Sequence, residues 1–415
     1  MYRGILLLAL CVAALPAGAS SDSADGRVVI PSSAAAGDRF GAAVASAGEW
    51  FAISSPEAER PRSSGTIAVY RVTPCGPELV QADLAPPDSL GAIRFGARIA
   101  MTAETLVATS DDEKVHVFQL TDDTWRYLRT LSKPASPVQI YGNDDRHFGS
   151  DVAVARNMIV VGAPHNGRGS GAVYGFVHSP ERTEFRGILA LPPDRPRYGR
   201  LVALSPEGGL VLSDEDTGRL QLVFGFLGFD NVIGSYFLDR PLNSLSFGET
   251  AIAAGSMADE RVHLFRLGAI PGTLEPFPPI EFEPVGTAPG SGFGASIALS
   301  QKRLLVGAPM AAEGAGALFE YAFDEAPDAD ADLPISLDFS AELAGVGASV
   351  ALTENFKVGG APQTANDRGS ALALTSARAE PWLTCSADRR IEETLVVDPS
   401  DPCPGYYIGE VSAPG

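Results

Sequence analysis

Apolar residues along this chain come in short runs, broken at close intervals by Gly, Pro, Asn and Asp. Runs such as Val152-Ala153-Val154, Met158-Ile159-Val160-Val161 and Ala172-Val173-Tyr174-Gly175-Phe176 have strand length and strand composition, and turn formers close them. Several are apolar on consecutive residues rather than strictly alternating, as in strands covered on both faces. The pattern predicts an all-β chain of short antiparallel strands.

The runs also recur at a fixed period. Phe148-Gly149 is followed by Val160-Val161-Gly162-Ala163-Pro164 and then Gly171-Ala172-Val173-Tyr174-Gly175-Phe176. Phe293-Gly294 is followed by Val306-Gly307-Ala308-Pro309 and then Gly316-Ala317-Leu318-Phe319-Glu320-Tyr321. Both place the later Gly 14 positions after the Phe (148 to 162, 293 to 307). The same offset links Phe40-Gly41 to Ser54-Ser55-Pro56, and Val346-Gly347 to Gly360-Ala361-Pro362. Looser copies begin at Phe95-Gly96 and Tyr198-Gly199. Phe247-Gly248 mimics the motif, but Glu260-Arg261-Val262-His263-Leu264-Phe265 aligns with Glu113-Lys114-Val115-His116-Val117-Phe118. That alignment puts Leu242 in the Phe slot and Phe247-Gly248 in a turn. Seven units therefore begin near residues 40, 95, 148, 198, 242, 293 and 346.

About fifty residues and four strands make one blade of a propeller. The small pairs Gly162-Ala163, Gly307-Ala308 and Gly360-Ala361 allow close approach of neighbouring chain, and the Pro after each ends its strand. These Phe-Gly and Gly-Ala-Pro repeats resemble the FG-GAP family of the integrin α head and of many exported bacterial proteins. The resemblance implies a seven-bladed β-propeller of four-stranded antiparallel blades over residues 26–380, with a tail at 381–415. Two segments compete for the fourth strand of blade seven: Arg27-Val28-Val29-Ile30-Pro31 at the N-terminus, and Trp382-Leu383-Thr384 in the tail.

The first nineteen residues read as a secretory signal peptide: Arg3, an apolar run from Ile5 to Leu15, then Pro16-Ala17-Gly18-Ala19 as the cleavage site. The run is too short to cross a bilayer, so the expectation is a secreted, periplasmic or cell-envelope protein without membrane insertion. Export leaves Cys75, Cys385 and Cys403, an odd number in an oxidising compartment. Cys385 and Cys403 are the expected bridge, leaving Cys75 free; a Cys75–Cys385 pairing remains open. Lys is scarce, 4 against 27 Arg, which suggests a GC-rich bacterial genome.

Composition narrows the partners. The chain has 415 residues, 45% of them hydrophobic, with a mean hydropathy of +0.07, enough for a large core. Its 44 Gly and 32 Pro suit a body built of turns. Thirty-one Lys and Arg against 51 Asp and Glu give −20, which argues against nucleic acid and anionic membranes and for a solvated monomer.

Candidate chemistry is sparse. Integrin-type repeats carry a D-x-[DN]-x-D-G calcium loop after the Phe-Gly strand, but here the turns Ala47-Gly48-Glu49-Trp50 and Ala155-Arg156-Asn157-Met158 are too short to wrap an ion needing 6–8 oxygens. Asp328, Asp330 and Asp332 begin like a calcium loop, but Leu333 stands where Gly is wanted and Phe339 where a Glu would close the site. The expectation is no cofactor, with these three aspartates the sole metal candidates. Asp111-Asp112-Glu113 and Asp214-Glu215-Asp216 occupy equivalent loops of blades two and four, where hairpin turns favour Asp. His116 and His263 share one register position and read as packed core residues; His147 and His165 flank the two motifs of blade three, a weak ligand pair. Trp125 suits a fourth strand, while Trp50 divides between core packing and a contact role. No nucleophile elbow, phosphate loop or dinucleotide fingerprint is in its required setting. The expected function is an exported, non-enzymatic recognition, adhesion or scaffold module binding a protein or glycan through propeller-face loops. The alternative is a propeller glycoside hydrolase or polysaccharide lyase with a central carboxylate.

Overall fold

The structure is a computed structural model that describes residues 26–29, 33–73, 76–134, 147–165, 171–190, 197–214, 217–224, 231–268, 278–323, 335–336 and 343–375. The signal segment, all four cysteines, Glu215, Asp216, Asp328, Asp330, Asp332 and Trp382 lie outside them.

Seven four-stranded antiparallel sheets follow one another along the chain. Six are built from four successive strands, over residues 44–84, 99–132, 152–190, 201–237, 244–282 and 296–336. The first strand of each sheet touches the first strand of the next, and Val44–Ala47 touches Ser349–Leu352, so the ring closes on itself. Blade seven has only three strands of its own, over 349–375, and takes its fourth from Gly26–Val29. That strand pairs antiparallel with Ser370–Thr375, from Gly26 opposite Leu374 to Val29 opposite Ala371. The N-terminal segment is thus the closing strand. It covers an edge that a three-stranded blade would leave open. Val29 is buried with Phe40, Phe51, Phe356 and Ala371 in the core between blades seven and one.

The repeated motif is the joint between blades. The residues in the Phe slot, Phe40, Phe95, Phe148, Tyr198, Leu242, Phe293 and Val346, are all 2% exposed or less. The Gly after five of them hydrogen-bonds the second strand of its own blade, as Gly41 N–H to Ser54 O (2.9 Å) and Gly149 N–H to Gly162 O (3.0 Å). Its carbonyl meets the Gly-Ala-Pro glycine of the preceding blade. A Cβ on Gly162 would lie 2.0 Å from Gly199 O, and one on Gly307 would lie 2.1 Å from Gly347 O. Only a residue without Cβ permits that approach. Serines brace the same joints: Ser296 Oγ donates to Gly347 O (2.7 Å), and Ser349 Oγ to Gly41 O (2.9 Å) across the closing seam.

Blade five obeys this rule in the register deduced from sequence. Leu242 is 1% exposed in the Phe slot, and Asn243 N–H bonds Gly255 O (2.8 Å) as the motif glycines do. The blade is one residue shorter there, because Ser244 pairs with Gly255 as Ser349, two residues after its motif glycine, pairs with Gly360. One detail differs from expectation: Phe247 is the last residue of the strand Ser244–Phe247, and only Gly248 enters the turn.

Trp50 opens a strand and is 4% exposed, so it is core rather than a contact residue. Its ring meets Trp125 edge-on at 6.0 Å, and the Arg71 guanidinium lies 5.5 Å from its centroid. Between blades six and seven, Glu320 sits partly buried between Lys357, which it bonds directly, and Arg303 (3.0 Å).

Candidate functional site

Each innermost strand ends on a residue facing one mouth of the axial channel: Ala47, Met101, Ala155, Leu204, Phe247, Leu299 and Leu352. Short turns follow, carrying Arg156, Glu249, Gln301 and Glu354 around the rim. Together they enclose a cavity of about 590 Å³ to which all seven blades contribute. Large residues occupy five positions, and Ala47 and Ala155 occupy two. An apolar floor with a polar rim is the usual anatomy of a recognition pocket.

A second concavity of about 710 Å³ lies beside the closing seam, between residues 33–38 and blade one. Alanines 34, 35, 36, 58 and 82 make its room. Three of its charged groups are engaged: Asp38 accepts Ala35 N–H (2.7 Å), Glu57 pairs with Arg94 (2.8 Å), and Arg60 with Asp88 (2.6 Å).

Asp151 precedes the innermost strand of blade three, at the end away from the mouth, and accepts Val202 N–H of blade four (2.9 Å). Burial raises its carboxyl above the ordinary range, against the opposing pull of Arg98, backbone N–H groups and Arg200.

The acidic loops between second and third strands hold blades together. Glu113 and Glu260 both adopt left-handed backbone (φ 60° and 53°), which bears out their alignment. Glu113 accepts His147 N–H (2.8 Å), just ahead of Phe148. Glu260 accepts Gly290 N–H (3.0 Å), the Ser291 hydroxyl (2.6 Å) and Gly292 N–H (3.1 Å), just ahead of Phe293. Burial works to raise the Glu260 pKa, but these donors together hold it below the usual carboxylate range. Asp111 pairs with Arg94 (3.0 Å), Asp112 with Lys114 (2.5 Å), and Asp214 caps its own turn through Thr217 N–H (2.9 Å). These carboxylates do hairpin and joint work, as the turn reading of the sequence expects.

The histidines divide into two kinds. His116 is fully buried, with Nε2 3.0 Å from Ser110 Oγ and Nδ1 2.9 Å from Thr130 Oγ1. Burial pushes its pKa down to about 4, so it is neutral at ordinary pH. His263 is 5% exposed at the equivalent position, and burial lowers its pKa also. By contrast, His147 and His165 are brought together at the loop end of blade three, with their Nδ1 atoms 2.8 Å apart. Their meeting follows from the motif: Gly149 bonds Gly162, so the residues just outside Phe148 and Pro164 become neighbours.

The turns after the innermost strands do not fit the family's calcium loop. Two residues, Gly48-Glu49 and Arg156-Asn157, join the strands in blades one and three, too few to supply the oxygens. Among the described residues no three His, Cys, Asp or Glu side chains are placed to hold an ion. No helix among them is long and apolar enough to cross a membrane.

Comparison with known proteins agrees with the geometry. Residues 142–176, spanning the Phe-Gly and Gly-Ala-Pro of blade three, match the FG-GAP repeat family. A search of curated proteins found no match. Among solved structures, a chain of a mitotic checkpoint complex is 12% identical with a TM-score of 0.54, covering 89% of this chain and 98% of that one. A protein from Lactobacillus plantarum is 14% identical with a TM-score of 0.51, covering 74% and 87%. At these identities the likeness is one of fold alone. The fold is a seven-bladed β-propeller, and the repeat matched in blade three is of the FG-GAP kind.

Proposed function

We propose that the protein is an exported recognition or scaffold module, without catalytic activity, that holds a protein or glycan partner at a propeller face. The observation supporting this reading is the mouth ringed by all seven blades, an apolar floor inside a rim of turns, while the carboxylates of the loops at the opposite blade ends are already engaged in blade joints. Recognition surfaces combine such a desolvated centre with a polar rim. In this reading the signal segment sends the chain out of the cytosol, and the acidic surplus keeps it soluble and monomeric. A bridge between Cys385 and Cys403 staples the tail.

Binding to a glycan array and to envelope proteins, measured for the natural chain and for the rim charge-reversal pair Arg156→Glu with Glu354→Lys, tests the proposal. Retention by the natural chain and loss in the variant supports it; equal retention by both places recognition elsewhere and overturns the mouth as the site.

Asp151 favours a second reading, a hydrolase or lyase using a central carboxylate. Burial shifts its carboxyl upward, the direction a general acid requires. Turnover on a polysaccharide or glycoside panel that disappears in Asp151→Asn would establish that reading and end the non-enzymatic one.

A further inference from the structure

We propose that His147 and His165 form a two-imidazole chelate for a divalent transition metal that prefers right-angled coordination, Cu(II) or Ni(II). The ligands come from separate loops: His147 from the connection into blade three, and His165 from the loop after Gly-Ala-Pro. Their Nδ1 atoms lie 2.8 Å apart, with ring centroids at 4.4 Å and planes at 88°.

That separation, the length of an ordinary hydrogen bond, is also the spacing two cis ligands require. Metal–imidazole bonds are about 2.0 Å long. Two such bonds at a right angle place their nitrogens about 2.8 Å apart, whereas a tetrahedral angle needs about 3.3 Å. The pair is therefore already at the spacing of cis positions in a square-planar or octahedral sphere, and a tetrahedral Zn(II) site requires the rings to separate.

The backbone fixes this arrangement. His147 has a left-handed φ of 74°, a conformation that side-chain-bearing residues seldom adopt. It is held there by its N–H bond to Glu113 and by Ser150 N–H on its carbonyl (3.1 Å). Phe148 is locked in the joint next to it, and Gly149 ties this loop to Gly162, two residues ahead of Pro164. The ligands are pre-placed, so binding does not have to order them.

The proton balance is simple. With both rings neutral, one Nδ1–H donates to the other Nδ1. On binding, that proton moves through solvent to the same ring's Nε2, leaving two Nδ1 lone pairs for the ion and no net proton release. Among the described residues no third His, Cys, Asp or Glu is placed to join, and the proposal leaves the remaining positions to solvent. The Glu113 carboxylate against the His147 backbone and the net charge of −20 both favour a cation here.

The test is titration of the purified protein with CuCl₂ and NiCl₂, read by calorimetry and, for copper, by electron paramagnetic resonance. Folding of each variant is checked by its Tm. The expectation is one equivalent of copper with two nitrogen couplings, weakened at least tenfold in His147→Ala and in His165→Ala. Copper bound with unchanged affinity in both folded variants places the ion elsewhere and overturns the proposal. No copper binding by the natural chain overturns it equally.

Discussion

Gly360 stands at the seam where the ring closes, and Gly360→Ala tests whether steric closeness is what the motif encodes. A Cβ there would fall 2.1 Å from Gly41 O and 2.4 Å from Ser349 Oγ. Its φ is not left-handed, so the backbone of this residue imposes no strain of its own. The nearest obstacle is a backbone carbonyl, which must retreat by roughly 1 Å, and overpacking of this kind costs about 3 kcal/mol. Displacing Ser349 also loses its bond to Gly41 O, worth about 1 kcal/mol. At about 2 °C per kcal/mol for a large domain, the total of about 4 kcal/mol lowers Tm by about 8 °C.

Two controls separate the causes in the same thermal melt followed by circular dichroism. Gly187→Ala meets nothing within 4 Å and has no left-handed φ, so it is neutral or stabilising by about 0.5 kcal/mol. Gly314→Ala also meets open space but has φ 93°, costing about 1–2 kcal/mol. If Gly360→Ala melts with Gly187→Ala, the joint does not depend on the missing Cβ and the account of the motif is wrong.

Three further outcomes are expected. His116 is lowered from its unfolded value of about 6.5 to about 4, so its contribution is intact above pH 6.5 and is lost progressively as pH falls toward 4, by about 3 kcal/mol at most; urea unfolding of His116→Gln from pH 7 to 4 should show a shallower fall than the natural chain. Glu320→Gln leaves the buried Lys357 and the partly exposed Arg303 facing a neutral partner and costs about 2–3 kcal/mol; an unchanged urea midpoint would mean the triad is not a unit. Deleting residues 20–31 removes the closing strand, and limited proteolysis should then cut first in blade seven rather than uniformly around the ring.

Much of this architecture was legible because a propeller repeats one physical problem seven times. Each blade must bury two faces and meet its neighbour backbone to backbone, so Phe-Gly and Gly-Ala-Pro return with the period of the blade. Even the off-register Phe247-Gly248 yields to the alignment of Glu113 with Glu260, since both carboxylates perform the same joint. The closing strand was narrowed to two segments. Sequence could not choose between them, because which edge a strand covers depends on where the ring brings its ends. Trp50 stayed divided for a similar reason: its burial is supplied by Trp125 from the next blade.

Local chemistry in the chain thus determined the strands, the turns, the blade count and the acidic exterior, since each depends on residues close in sequence. Tertiary structure alone decided what met across blades. It set Asp151 against Val202, Glu320 between two cations, His147 against His165, and one side chain from every blade around a single mouth. Those juxtapositions follow from closing the ring, and closure is a property of all seven blades together.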